Sequence, residues 1–274
     1  MNLLLAIAVV VVTTTAAITV MLVVRRHAPD GSFFNDGDRA AGVFGVLATG
    51  FAVLIGFVVF LAFTSYDTAR AGAETEALIV AQQLETAQFF EPATASQLTA
   101  GLVCYARSVA GVQWQRMEDD TIGDTLNPWA VRLFETVRAT EPTTAAQQSA
   151  YDRWLDQTTQ REQARNDRIH GAVGVIPTTL WIVLFFTAAL IFAYVLFFAD
   201  RGEGAVTQAM LMGSVVAVIV MLLLLLRFLD SPVNPGVGSL EPVAMQRTLL
   251  ILENVVSIAG QSTDYPCDER GTPT

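Results

Sequence analysis

The sequence contains no lysine, and all sixteen of its basic residues are arginine. This absence excludes a lysine-dependent phosphate-binding loop and every mechanism that uses a Schiff-base lysine. Histidine is almost as scarce, since His27 and His170 are the only two. They do not form the pattern of a His-rich metal site or of a Ser-His-Asp triad. We therefore expect no enzyme activity, no catalytic residues, no bound metal and no cofactor.

Positive charge is outnumbered by negative charge, because 26 acidic residues give the chain a formal net charge of −10. Proteins that bind nucleic acid need lysine and arginine to displace counterions from the phosphates. The composition therefore argues against a nucleic-acid partner. Hydrophobic residues are abundant instead, at 53% of the 274 residues. This is above the roughly 45–50% that is usual for soluble domains.

Four uncharged apolar runs account for this excess, at 3–24, 42–63, 175–198 and 205–226. Each is long enough to cross a hydrocarbon core of about 30 Å as a helix. The first run does not resemble a signal peptide, because its positive charges follow it rather than precede it. The sequence predicts an all-α multi-pass membrane protein with four transmembrane helices, and the lipid bilayer is its expected partner.

The second run continues without proline as an amphipathic helix to about residue 90, so one rigid helix is expected to join a membrane span to a helical domain. This extramembrane domain is inserted between the second and third spans. The predicted segments are 1–64, 65–172, 173–229, a turn and helix at 230–260, and a tail at 261–274. The tail has no periodicity, and we expect it to be mobile unless it is tied down.

Three prolines of the domain follow polar stretches and are predicted to begin helices, namely Pro92, Pro128 and Pro142. Apolar residues spaced four and three apart predict its core: Leu98, Leu102, Tyr105, Val109 and Val112. One acidic cluster contains Glu118, Asp119, Asp120 and Asp124. It lacks the spaced oxygen ligands of a calcium-binding loop, so a solvated turn is favoured over a divalent-cation site.

Arg161, Arg165 and Arg168 form one stripe on the helix that precedes the third span. One interpretation is a basic collar that binds lipid phosphate or permeating anions. The favoured alternative is that these arginines pair with nearby carboxylates, which are Glu162, Asp167, Glu74 and Glu76.

Several positions together resemble the bacterial bestrophin-like family, which is distantly related to bestrophin chloride channels. The resemblance is carried by Glu76, Trp114 with Met117, Arg165 to Arg168, Pro177, Trp181, Asp230 and Pro232. It implies a ring-shaped homo-oligomer, a pentamer if the relation holds, whose second span lines the pore. The acidic calcium clasp of bestrophins is missing, because the segment after the fourth span has a single Glu241. Calcium gating is therefore not expected.

The predicted function is an ion channel. Phe51, Ile55, Val59 and Phe63 recur at every fourth residue of the second span, and we expect them to form a hydrophobic neck that gates by dewetting. Ordinary helix packing or lipid contact gives the same pattern. The alternative function is a non-conducting scaffold or accessory subunit whose helical domain docks a partner protein, and the sequence does not identify that partner.

The chain is expected in the plasma membrane, with its helical domain on the extracytoplasmic side. The short loops on the opposite side contain Arg25, Arg26, Arg39 and Arg201, and such loops are usually cytoplasmic. The arginine stripe and the cytoplasmic domain of the bestrophins argue the other way. Cys104 and Cys267 are the only cysteines, and four spans place both on one side. In an oxidising compartment we expect them to pair; on a cytoplasmic face both are expected to stay reduced.

Overall fold

The structure is a computed structural model that describes residues 3–119, 121, 126–258 and 265–274. Every regular element in these residues is a helix. The helices are α1 (Leu3–His27), α2 (Gly37–Ala87), α3 (Pro92–Ser108), α4 (Trp114–Glu118), α5 (Pro128–Arg138), α6 (Ala145–Ala172), α7 (Thr178–Phe197), α8 (Ala205–Asp230) and α9 (Val243–Ile258). A π-helical turn, Val109–Gln113, lies between α3 and α4. By length and composition, α1, α2, α7 and α8 are able to cross a membrane. The predicted all-helical class with four apolar spans is confirmed.

The chain forms two compact units, which we call the membrane unit and the helical unit. The membrane unit comprises Met1–Ser65 and Gly174–Gly238, and the helical unit comprises Tyr66–Val173 and Ser239–Thr274. Helix α2 contributes residues to both. The segment that contains α9 and the end of the chain therefore folds with the helical unit.

In the membrane unit, α1 packs against α8. Gly213 of α8 makes the close approach possible, because a Cβ at this position would lie 3.1 Å from the Cδ1 atom of Ile18. Small residues allow transmembrane helices to pack closely in this way. Buried apolar side chains continue the contact, including Ala17 and Met21 on α1 and Met212 on α8.

The core of the helical unit is built around α3. Leu98 and Leu102 are fully buried there and belong to one cluster with Trp129 of α5, Trp154 of α6 and Leu252 of α9. The predicted core residues Tyr105 and Val109 also belong to this cluster, whereas Val112 is half-buried. Large buried aromatic side chains from separate helices supply much of the apolar area that stabilises such a unit.

Pro92 and Pro128 begin helices as predicted, but Pro142 does not. Helix α6 begins at Ala145 because Thr144 caps it: the Thr144 hydroxyl accepts a hydrogen bond from the Gln147 amide at 3.2 Å. The Gln147 side chain in turn accepts one from the Thr143 amide at 2.9 Å. The two hydrogen bonds are close to a capping box, except that Gln147 accepts from the residue before the cap, and together they define the helix start at Ala145.

Two predictions fall partly outside the described residues. In the acidic cluster, Asp120 and Asp124 lie outside them, so the structure does not describe the cluster as a whole. In the tail, residues 261–264 lie outside them, whereas residues 265–274 are described and are tied down by the contacts given below.

Candidate functional site

The helical unit contains a buried ion pair between Glu76 of α2 and Arg168 of α6. The Arg168 Nε donates to one carboxylate oxygen at 2.6 Å, and its Nη2 donates to the other at 3.3 Å. Glu76 is fully buried and Arg168 is 1% exposed. The contact is therefore a two-point pair out of water, which is the arrangement that a guanidinium makes best.

Tyr105 of α3 completes the coordination of this carboxylate, because its hydroxyl donates to Glu76 at 2.6 Å. Burial raises the pKa of Tyr105 well above its usual range, and the Glu76 carboxylate raises it further. Burial would lower the pKa of Arg168, but Glu76 outweighs burial and the net shift is upward. Tyr105 therefore stays protonated and Arg168 stays charged, so both remain donors to Glu76.

The Arg168 guanidinium has further partners besides Glu76. Its Nη2 donates to the Gln113 side chain at 3.3 Å, and its Nη1 lies 2.9 Å from the Met117 sulfur. The Trp114 ring lies 5.9 Å from the guanidinium carbon. Trp114 and Met117, two positions of the family resemblance, therefore lie beside a buried cation.

Arg161 is buried about two helical turns before Arg168 on α6. Its Nη1 donates to the Gln83 side chain at 2.8 Å, and its guanidinium lies 4.7 Å above the Tyr105 ring. It also contacts Glu162 at 3.4 Å. Arg165 is 9% exposed. All three arginines of the stripe are buried in this chain, which favours partners within the protein over a collar that binds lipid phosphate or permeating anions.

The alternative, pairing with carboxylates, describes Arg168 and Glu76 correctly, but two of the other acidic residues have different partners. Glu74 pairs with Arg70 at 3.1 Å on the exposed side of α2. Asp167 accepts a hydrogen bond from Gln163.

Sequence reasoning missed Gln83 as a member of the buried cluster. A signal was present, because Gln83 lies seven residues after Glu76 and therefore on the same face of α2. Two polar residues on an otherwise apolar face indicate a buried polar network.

The membrane part of α2 buries a different stripe from the one predicted to line a pore. Phe51 and Ile55 are 5% and 2% exposed within the single chain. Both side chains therefore pack inside the single chain, which does not favour their assignment to a pore between subunits. Val59 is half-buried and Phe63 is exposed.

The opposite face of α2 is exposed and apolar. It consists of Val46, Val53, Phe57 and Phe60, whose exposed fractions are 74%, 64%, 67% and 62%. At 100° per residue these four side chains lie within one narrow stripe. In the membrane, such a face contacts lipid, another subunit or a pore.

A disulfide joins Cys104 of α3 to Cys267 in the helical unit, with Cα atoms 5.8 Å apart. The described tail packs beside it, where the Trp129 indole donates to the Gly271 carbonyl at 2.6 Å. Gly271 has a φ of +76°, and a Cβ there would lie 2.1 Å from the Ser108 nitrogen. Only glycine fits this contact, so the end of the chain is closely matched to α3.

The remaining family positions cluster in the membrane unit. The Asp230 carboxylate, at the end of α8, accepts a hydrogen bond from the Ile176 amide at 3.0 Å. Pro177 immediately precedes the first residue of α7, and Pro232 is buried after α8. Trp181 stacks on Phe185 with ring centroids 5.7 Å apart. Asp230 therefore ties the start of α7 to the end of α8.

Comparison with known proteins agrees with this architecture. A family model of the Bestrophin-like domain matches residues 8–234. No curated protein sequence matches the chain. The crystal structure of a membrane protein variant aligns with a TM-score of 0.66 at 14% identity, over 95% of this chain and 99% of that chain. Two variants of a bacterial bestrophin homologue from Klebsiella pneumoniae align with TM-scores of 0.64 and 0.65, at 14% and 13% identity. These alignments cover 94% and 88% of this chain and 99% of each homologue. At these identities, the likeness establishes the fold.

Proposed function

Because the chain belongs to the Bestrophin-like family, we propose that it assembles into a ring of identical subunits, a pentamer, that conducts ions through a pore lined by α2. In this arrangement the helical unit lies outside the bilayer, and its part from Tyr66 to Val173 is inserted between the second and third spans. The observation that carries the proposal is the exposed apolar stripe of α2. One face of this helix packs within its own chain, so the opposite face is available to a shared pore.

The neck of the proposed pore is formed by Val53, Phe57 and Phe60 rather than by Phe51 and Ile55. The phenylalanines project from neighbouring turns of one stripe and are 67% and 62% exposed. Rings of such side chains around a symmetry axis form a hydrophobic constriction, which blocks ions when it dewets.

Single-channel recording from reconstituted protein tests this assignment. Phe57→Ala widens the proposed neck and should raise the open probability or the conductance. Phe63→Ala is the matched control, because it removes the same side chain from the same helix at a position about 60° outside the stripe. A channel that responds to Phe63→Ala and not to Phe57→Ala would contradict the assignment. A stable ring that never conducts would favour a scaffold whose helical unit docks a partner.

We further propose that the helical unit lies on the extracytoplasmic side of the plasma membrane. The pairing of Cys104 with Cys267 supports this placement, since such bonds persist in oxidising compartments. The arginine-rich loops at the other end of the spans support it as well.

An impermeant thiol reagent tests the side directly, in a background that lacks both native cysteines. Ser149 of the helical unit and Arg39 before the second span are both exposed. Ser149→Cys should react in intact cells, and Arg39→Cys should react only after the cells are opened. The reverse pattern would place the helical unit in the cytoplasm.

A further inference from the structure

A groove in the membrane unit is lined by α1, α7 and α8. It has a volume of about 480 Å³, with Val220 and Leu223 of α8 on one side and Val9 of α1 and Phe185 of α7 on the others. A second apolar groove of about 350 Å³, between α1 and α8, shares Leu224 with it. Because these helices cross a membrane, an open apolar groove between them is suited to bind the hydrocarbon chain of a lipid.

One charged side chain lines the groove among the described residues, and it is Arg227 near the end of α8. Its side chain is 56% exposed. Its Nη1 donates to the Ser231 hydroxyl at 2.5 Å, and the nearest Asp230 oxygen is 3.9 Å away. A guanidinium carries five N–H donors, so this one retains donors for an anion.

Arg227 lies where a lipid headgroup would lie. Trp181, in the first turn of α7, lines the groove beside it, and tryptophan prefers the boundary between hydrocarbon and water. From Arg227 back to Val220 the groove follows α8 for about 10 Å, at 1.5 Å per residue. The cation at the interface is suited to the phosphate of a phospholipid, and the apolar groove next to it is suited to an acyl chain of the same molecule.

We propose that this groove binds an anionic phospholipid, with an acyl chain against α8 and the phosphate on Arg227. The argument for a lipid rather than a neighbouring subunit is charge complementarity. A guanidinium at the mouth of an apolar groove is matched by a phosphate joined to a hydrocarbon chain. The site requires only that the chain spans a membrane, so it does not depend on ion conduction.

Tryptophan quenching by phospholipids brominated on their acyl chains measures occupancy of the groove. Trp181 is the reporter, because Trp114, Trp129 and Trp154 are buried in the helical unit, and Trp181→Phe gives their background. Brominated phosphatidylglycerol should bind about five times more tightly than brominated phosphatidylcholine, which is the preference that one arginine gives near an anionic surface. Arg227→Gln should reduce this ratio to about one.

Arg26→Gln is the matched control, since it removes an exposed arginine at the end of α1 away from the groove, and it should leave the ratio unchanged. Equal binding of the two lipids by the unmodified protein would overturn the proposal, as would an unchanged ratio in Arg227→Gln. Quenching no greater than the Trp181→Phe background would also overturn it, because a neighbouring subunit would then cover the groove. If Arg227→Gln aggregates, Val220→Phe fills the groove while keeping the arginine and should abolish quenching by both lipids; undiminished quenching would refute the site.

Discussion

Replacing Glu76 with glutamine should destabilise the helical unit far more than its small change in shape suggests. The carboxylate accepts hydrogen bonds from Arg168 at 2.6 and 3.3 Å and from Tyr105 at 2.6 Å, all out of water. After Glu76→Gln, the Arg168 charge stays buried beside neutral groups, chiefly Gln113 and Met117.

Removing one partner of a buried pair costs about 3–5 kcal/mol, because the other charge is left uncompensated. For a unit of this size, such a loss lowers the unfolding midpoint by on the order of 10 °C. Glu74→Gln is the control, since Glu74 lies two residues away and pairs with Arg70 where both side chains are 59% exposed. An exposed pair of this kind contributes about 0.3–0.5 kcal/mol.

Thermal unfolding of the detergent-solubilised protein, followed by tryptophan emission, compares the two variants. Three of the four tryptophans belong to the helical unit, so the signal reports mainly on it. A double variant, Glu76→Gln with Arg168→Met, should recover part of the loss because it removes the stranded charge. If Glu76→Gln unfolds within about 1 kcal/mol of Glu74→Gln, the carboxylate does not compensate a buried cation and the reasoning is refuted.

Three other changes have expected outcomes in the same unfolding assay. Gly72→Ala places a Cβ 2.5 Å from a backbone nitrogen of α6 and should lower the free energy of unfolding by about 1–3 kcal/mol or more. Gly101→Ala should cost less, because its Cβ would lie 2.8 Å from a side-chain methyl, which can move. Equal losses in the two variants would contradict the backbone clash. Replacing Cys104 and Cys267 with alanine should cost about 5 kcal/mol in the chain-entropy model, because the bond spans 163 residues, and should remove any effect of reductant. The raised pKa of Tyr105 makes the unfolded state ionise first, so stability is full below pH 10.0 and falls above it by up to about 1.4 kcal/mol per pH unit; Tyr105→Phe should lack that component of the slope.

The fold was predictable because helices in a membrane are specified by length and composition. Four uncharged runs gave four helices, and prolines in first-turn positions marked the starts of α3 and α5. The helix starts that differ from prediction are those set by capping residues. Helix α2 begins at Gly37 rather than at residue 42, since the Asp36 carboxylate accepts a hydrogen bond from the Arg39 amide at 3.0 Å. Aspartate is among the preferred capping residues, so this start was readable from the sequence.

The exposed stripe of α2, which is the proposed pore lining, was harder to predict for a physical reason. An apolar transmembrane helix has no polar face, so its periodicity does not distinguish a buried stripe from an exposed one. Packing within the chain decides: Phe51 and Ile55 are buried, and Phe57 on the opposite face is exposed. The candidate pore positions therefore required the structure.

The buried cluster shows why arginine suits position 168 better than lysine does. Arg168 uses all three of its guanidinium nitrogens, to reach the two Glu76 oxygens, the Gln113 oxygen and the Met117 sulfur. A lysine ammonium is a single compact centre and does not match two carboxylate oxygens while also reaching partners on its far side. Arginine also remains charged when it is buried, whereas a buried lysine readily loses its proton. Arginine at this position therefore follows from the geometry of the site. Its planar guanidinium stays charged when buried, and it holds α6 against the face of α2 that carries Glu76.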